Sequence, residues 1–341
     1  MGQVASQPAM SAVNTAARAF IAADVGGTHA RIGLVRGVGE GGRVAVLDYR
    51  KYVCAEHEGL DAILRDFLSH HQDTAVTHGA LACAGYAIDG VVVNDNLPWR
   101  VAVGELRDAL HLSDLSLIND FEAVAYATQY IEPSATLALT DAPLPETPGP
   151  QVVVGPGTGL GSAAILPMQP QPLVLPTEAG QIALAPRGEL EIAILGVLES
   201  RHRHVSYEHV LSGPGLLQLY QALRILRAAP CTLERPEQVT EAALHGGDAD
   251  ARQALDVFCA LLGSFVGDLA MLYGASGGIW LAGGILPQIR SFLARSTFVE
   301  RFLDKGRMRA FLQRVPIRLM EHGQLGVIGA AGWYLDHQDG S

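Results

Sequence analysis

Two stretches of this chain repeat one arrangement, and the repeat limits its possible folds more than any other feature. The first is an apolar run at residues 20–23, the turn Asp24-Val25-Gly26-Gly27-Thr28, and a second apolar run at 30–35. The other is an apolar run at 151–154, the turn Gly155-Pro156-Gly157-Thr158-Gly159-Leu160-Gly161, and a further apolar run at 162–166. Each reads as two strands joined by a glycine turn. Met once in each half of the chain, the unit predicts a duplicated hairpin.

A glycine turn can serve only to reverse the chain. Two glycines and a Thr can also bring successive N–H groups and a hydroxyl against phosphate oxygens, with Asp24 placed to hold a hydrated Mg2+. The second turn carries more glycine than reversal needs, which favours phosphate: two facing hairpins could clamp a triphosphate from both sides. It is not a Walker loop, because no Lys-Ser or Lys-Thr follows the glycines and strands flank the turn. A dinucleotide fingerprint is disfavoured as well, since neither turn leads directly into a helix. A third glycine site, Gly277-Gly278-Ile279-Trp280-Leu281-Ala282-Gly283-Gly284-Ile285, reads as a strand end meeting a helix. Its backbone could lie flat against a purine or simply pack strand on helix.

Between these landmarks the pattern is α/β. Strands are expected at 44–53, 79–84, 91–93 and 115–118, with helices over 60–68 and 103–110. The 115–118 strand stops at Asn119-Asp120, before a helix running to residue 130. Residues 131–150, rich in Pro and Thr, read as a surface loop near a domain junction. Helices dominate 189–273, and a small-residue helix begins near 324. The apolar stretch 257–275 is interrupted by Ser264, Gly267 and Asp268, so it reads as a buried helix and not a membrane span.

Composition excludes several classes. The formal charge is −11, from 24 Lys and Arg against 35 Asp and Glu, and no basic run is present, which argues against nucleic-acid or anionic-membrane partners. Cys54, Cys83, Cys231 and Cys259 are scattered, as in a reduced, cytoplasmic protein. Residues 1–18 read as a flexible extension without a signal-peptide pattern. The opening Met1-Gly2 fits a loose myristoylation pattern that lacks a supporting basic cluster. The 38 glycines otherwise include pairs at 41–42 and 246–247, read as ordinary loops.

Taken in order, Asp24-Val25-Gly26-Gly27-Thr28, Ile118-Asn119-Asp120-Phe121, the 155–161 turn, Leu211-Ser212-Gly213-Pro214-Gly215 and Leu281-Ala282-Gly283-Gly284-Ile285 resemble the bacterial glucokinase family. The resemblance runs from about residue 20 to 333. It implies an α/β, two-domain actin-like ATPase fold, ribonuclease H-like, with the active-site cleft between the domains. Residues 19–130 would form a small domain completed by a C-terminal helix at 317–341, and 131–316 a large domain. The implied reaction is ATP-dependent phosphorylation of glucose at its 6-hydroxyl, with Mg2+ as cofactor and a homodimer as the assembly.

By the same resemblance, Asp120 is the general base and Asn119 binds sugar hydroxyls, as do Glu178 and Glu208. Physically, a carboxylate at a strand end can remove a hydroxyl proton, and carboxylates accept strong bonds from sugar hydroxyls. Nucleotide contacts fall to Gly26, Gly27, Thr28, Gly155, Gly157, Thr158 and Gly159, with adenosine near Gly283 and Gly284 and Mg2+ held by Asp24 through water. Across the loop at Glu178 the chain departs from the family, carrying Ala179 for a glycine and Gln181 for a sugar-binding His. Gln181 still donates and accepts, but without charge. Two alternatives therefore stand beside glucose phosphorylation: a kinase for another hexose or amino sugar, and a non-catalytic sugar-responsive regulator. His202, His204 and His209 lack a ligand spacing and read as solvated helix positions.

Overall fold

The computed structural model describes residues 18–38, 43–94, 97–169, 171–321 and 323–338. The N-terminal stretch 1–17 and the 41–42 glycine pair lie outside the described residues. The chain divides into two compact units, one running up to Asp120 and resuming at Gly326, the other spanning Phe121–Leu325.

The first unit is built on a five-stranded sheet. Its strands are β1 (Phe20–Val25), β2 (His29–Val38), β3 (Arg43–Val53), β4 (His78–Cys83) and β8 (Asp114–Asn119), in the order β3-β2-β1-β4-β8. β3, β2 and β1 form an antiparallel meander, while β4 and β8 add on parallel to β1. A small separate sheet holds β5 (Tyr86–Ile88), β6 (Val91–Val93) and β7 (Val101–Ala102). β1 and β4 are apolar along nearly their whole length because both sheet faces are covered. Helix Leu60–Ser69 contributes Leu60, Ile63, Leu64 and Phe67, all buried and spaced along one helical face. Helix Leu325–Gln338 belongs to this unit from Gly326 onward, and the Tyr334 ring packs on Phe20 of β1 in a tilted arrangement with centroids 5.0 Å apart.

The second unit repeats that plan. Its strands are β9 (Thr136–Ala138), β10 (Gln151–Pro156), β11 (Leu160–Leu166), β12 (Leu173–Thr177), β13 (Gly278–Leu281) and β14 (Ile317–Met320). The order is β12-β11-β10-β13-β14-β9. β12, β11 and β10 are an antiparallel meander and β13 and β14 add on in parallel, so β10–β11 stands where β1–β2 stands in the first sheet. β9 is an extra antiparallel edge on β14. The long helix Ala249–Tyr273 passes the length and hydropathy test for a membrane span, yet 78% of its most apolar window is buried. Leu255, Phe258, Leu262, Phe265 and Leu269 lie inside the core of this unit.

Several sequence expectations need correction. Residues 131–150 are not all loop, since β9 pairs with β14 and Arg318 Nε donates to Thr136 Oγ1 at 2.5 Å. Three residues paired with a distant strand leave too little periodicity to read. Within 317–341, Ile317–Met320 is a strand and the helix spans Leu325–Gln338. The helix after Asn119 covers Asp120–Ala127 and gives way to a turn before residue 130. No helix follows Gly283-Gly284 directly: bends and turns intervene before the short helix Arg290–Leu293. The Gly283-Gly284 pair therefore does not sit at a helix N-terminus.

Candidate active site

In the first unit, the carboxyl ends of the parallel strands carry the candidate chemistry. Asp24 lies near the end of β1, opposite Arg31 on β2, and Arg31 Nη1 donates to Asp24 Oδ2 at 3.1 Å. Burial pushes the Asp24 carboxyl above its ordinary range, and the Arg31 guanidinium works against that rise. Asp24 also meets the first turn of helix Leu325–Gln338, where a Cβ on Gly326 would lie 2.5 Å from Asp24 Cγ. A positive helix terminus there favours the charged carboxylate.

The turn that follows is tied down on both sides. Gly26 N–H donates to the His29 carbonyl at 3.1 Å, and Cys54 N–H donates to the Thr28 carbonyl at 3.0 Å. The Cys54 thiol sits 3.4 Å from the Gly26 carbonyl. Thr28 is exposed at the tip.

Asn119 ends β8, and Asp120 opens the next helix. Asn119 Nδ2 donates to the Gly85 carbonyl at 3.1 Å, and Asn94 Nδ2 donates to the Ala84 carbonyl at 2.9 Å. Gly85 has φ +101°, a conformation that side chains resist, so two Asn amides hold a loop that glycine makes possible. Cys83, at the end of β4 between β1 and β8, reports on both acids. Burial first, then the Asp24 and Asp120 carboxylates, push its thiol well above its usual range. Asp24 and Asp120 thus lie at the ends of β1 and β8, flanking β4, at the edge of the sheet where ligands of open α/β sheets usually bind.

The second unit centres on Glu208. It sits in the single turn Tyr207–His209, half-buried. Its Oε2 accepts from the Leu160 N–H at 2.8 Å, and its Oε1 accepts from Gln181 Nε2 at 3.0 Å. Ser212, the N-cap of helix Gly213–Leu226, donates from Oγ to the Glu208 carbonyl at 2.8 Å and accepts from Gly215 N–H at 3.0 Å. The Leu211–Gly215 motif is therefore a helix cap that also fixes Glu208. Glu178 and Gln181 are exposed on the loop and single turn after β12, with Ala179 and Gly180 buried beneath them.

The three histidines are not on a regular helix. His204 Nε2 lies 2.8 Å from the Gln181 carbonyl, His202 Nε2 lies 3.0 Å from Gln218 Oε1, and the His202 and His209 rings are 4.3 Å apart. They buttress the Gln181–Glu208 turn. Among the described residues, no group of three or more His, Cys, Asp or Glu could hold a metal ion.

The glycines of β10–β11 do different work from one another. Gly157 N–H donates to the Gly159 carbonyl at 2.8 Å, and the Gly157 carbonyl accepts from Gly213 N–H at 2.8 Å, so both its polar groups are used within the protein. A Cβ on Gly159 would lie 2.6 Å from Glu208 Oε2, and one on Gly155 would lie 2.6 Å from Phe121 Cζ. Gly283, at φ +93°, crosses closely over the Pro156 carbonyl. Thr158 and Gly284 are exposed, and open space surrounds Gly284. Sequence reading missed Phe121, Asn94 and the Leu160 amide. A glycine at each of two facing strand positions was the available signal for Phe121.

Residues 21–337 match the Glucokinase family. A Xylella fastidiosa (strain Temecula1) protein named Glucokinase-like protein is 49% identical over 319 residues, covering 93% of this chain and 95% of that one. The Photorhabdus laumondii Glucokinase is 38% identical, covering 93% of this chain and 97% of its own. A crystal structure of glucokinase from an Antarctic psychrotroph superposes with TM-score 0.83 at 34% identity, covering 93% of this chain and 99% of that one. The duplicated sheet with its leading hairpins is thus the two-domain actin-like ATPase fold, and the chain that carries it belongs to the glucokinase family.

Proposed function

We propose that the protein transfers the γ-phosphoryl group of ATP to the 6-hydroxyl of glucose, giving glucose 6-phosphate and ADP. The observation that carries this reading, beside family membership, is the convergence of Asp24 and Asp120 at the ends of β1 and β8, on either side of Cys83 in β4. Phosphoryl transfer depends on positioning and charge neutralisation more than on covalent participation by the protein. Asp120 takes the proton of the attacking hydroxyl, and Asn119, fixed through its amide to Gly85, orients the sugar. Glu178, Gln181 and Glu208 bind the remaining hydroxyls, with Gln181 and Glu208 presented as one bonded pair. That bond keeps a donor on Glu208 where the family carries an imidazole, which supports glucose as the substrate despite the replacement.

Gly26, Gly27, Thr28, Thr158 and Gly159 contact the nucleotide phosphates. Gly155 and Gly157 shape the second hairpin, and Gly283 and Gly284 border the adenosine. When bound with ATP, Mg2+ neutralises charge on the phosphates. A partly buried carboxylate, here paired with Arg31 through Oδ2, suits such an ion, which keeps most of its waters and takes phosphate oxygens as ligands. Asp24 would hold it through water. Four free cysteines, three of them buried, fit residence in the reduced cytoplasm. The active assembly is a homodimer, which light scattering tests.

Coupled detection of ADP release over glucose, mannose, fructose and glucosamine tests the function. Glucose should give the highest kcat/KM. Absence of sugar-dependent release would reject the kinase, and preference for a sugar altered at C2 would move the substrate.

A further inference from the structure

We propose that Phe121 is a positioning residue for Asp120, and that Gly155 and Gly161 form the slot that seats its ring. The proposal rests on the reading of Asp120 as the general base. Gly155 and Gly161 are direct partners across β10 and β11. Side chains at such a pair would emerge side by side on one face of the hairpin. The Phe121 ring occupies that space: a Cβ on Gly155 would lie 2.6 Å from Phe121 Cζ, and one on Gly161 would overlap the ring edge. The Ala282 backbone, 3.3 Å from the same point at Gly155, closes the slot behind it.

Chain reversal does not explain these two glycines. Both lie within strands, outside the turn, and neither is among the glycines with positive φ. Glycine opposite glycine gives up side-chain packing and adds backbone freedom, so it weakens a hairpin unless something fills the gap. Phe121 fills it from the first turn of helix Asp120–Ala127. The other residues of that helix near its start include the small, buried Ala123 and Ala125, so Phe121 is the large anchor of its first turn. Asp120 is the first residue of the same helix, peptide-bonded to the anchor. Misplacing a catalytic group by about 1 Å can cost about 10²-fold in rate.

The test compares Phe121→Ala, Phe121→Leu, Gly161→Ala and the double variant Phe121→Ala/Gly161→Ala with the parent enzyme. For each, kcat and KM for glucose and ATP are measured per folded enzyme, together with the thermal midpoint. Both Phe121 variants should lower kcat about 10- to 100-fold, with each KM changed less than about threefold. Gly161→Ala should lower kcat similarly. In the Phe121→Ala background it should cost nothing more, because the added methyl enters space the ring has left.

Unchanged kcat per folded enzyme with only a lowered midpoint overturns the proposal, and so do losses that simply add. If Phe121→Ala fails to fold, Phe121→Leu and Gly161→Ala decide by the same split between kcat and KM. Asp120→Asn separates this proposal from its premise. An active Asp120→Asn enzyme removes the general base itself, whereas an inactive one beside a fully active Phe121→Leu removes only the role of Phe121.

Discussion

The two hairpins share topology but are held in opposite ways. β1–β2 is fixed largely from within its own sheet: Asp24 pairs with its register partner Arg31, and Cys54, directly after β3, bonds to the turn at Gly26 and Thr28. β10–β11 is fixed by groups from outside its sheet: the Phe121 ring, the Gly213 amide and the Glu208 carboxylate. Glycine therefore means different things in the two. A Cβ on Gly26 would meet nothing closer than the His29 carbonyl at 3.7 Å, an ordinary contact. At Gly155, Gly159 and Gly161 a Cβ would collide with a neighbour. The first turn leaves room beside Gly26, and the second uses glycine to let a ring and a carboxylate come close.

The largest break in that comparison should come from Glu208→Ala. It removes a carboxylate that accepts from both Leu160 N–H and Gln181 Nε2, and it leaves the hairpin amide without its partner. Loss of one charge-assisted bond from this carboxylate to a sugar hydroxyl, at about 1.5–3 kcal/mol, predicts a rise in glucose KM of about 10- to 10²-fold, read by steady-state kinetics. An Arg31→Met change at the first hairpin should leave glucose KM near the parent value, since Arg31 pairs with Asp24 and not with the residues proposed to bind the sugar.

Alanine at matched glycines gives the next largest contrast. Gly161→Ala should destabilise by about 1–3 kcal/mol through overpacking against Phe121. Gly26→Ala should cost less than about 1 kcal/mol. Denaturant unfolding measures both, and equal losses would mean the two hairpins tolerate side chains alike.

The smallest effect belongs to the histidine buttress. Burial first, and then the nearby His202 and His204, hold His209 below the ordinary histidine value of 6.5, with Glu208 opposing them. In the folded state His209 therefore binds fewer protons than in the unfolded chain within that window. Stability should be fully present above 6.5 and should fall as pH drops through 6.5 toward the lowered value. His209→Asn should flatten this slope in unfolding midpoints collected from neutral to mildly acidic pH, while Arg31→Met should leave it in place.

What the sequence could reveal follows the same division. The hairpin strands and the helix Leu60–Ser69 are legible because turn residues and local periodicity encode them. The duplication is legible because the same glycine unit occurs twice, and the fold class is legible through the family resemblance that the ordered motifs carry. β9 escapes notice because its pairing with β14 is a long-range event, and the strand at Ile317–Met320 merges by eye into the helix that follows. Gly155 and Gly161 look like ligand glycines until Phe121 is placed over them. The Gln181–Glu208 bond joins residues 27 positions apart, and the Glu208–Leu160 bond residues 48 apart. No local pattern carries such pairings.

The central claim is that Asp120 removes the proton of the attacking hydroxyl. Glucose-dependent turnover of Asp120→Asn, measured beside its binding of an ATP analogue, tests this most directly. Turnover should fall by about 10²- to 10⁴-fold with analogue affinity within about threefold of the parent. Turnover at the parent level in a folded Asp120→Asn enzyme would contradict the assignment.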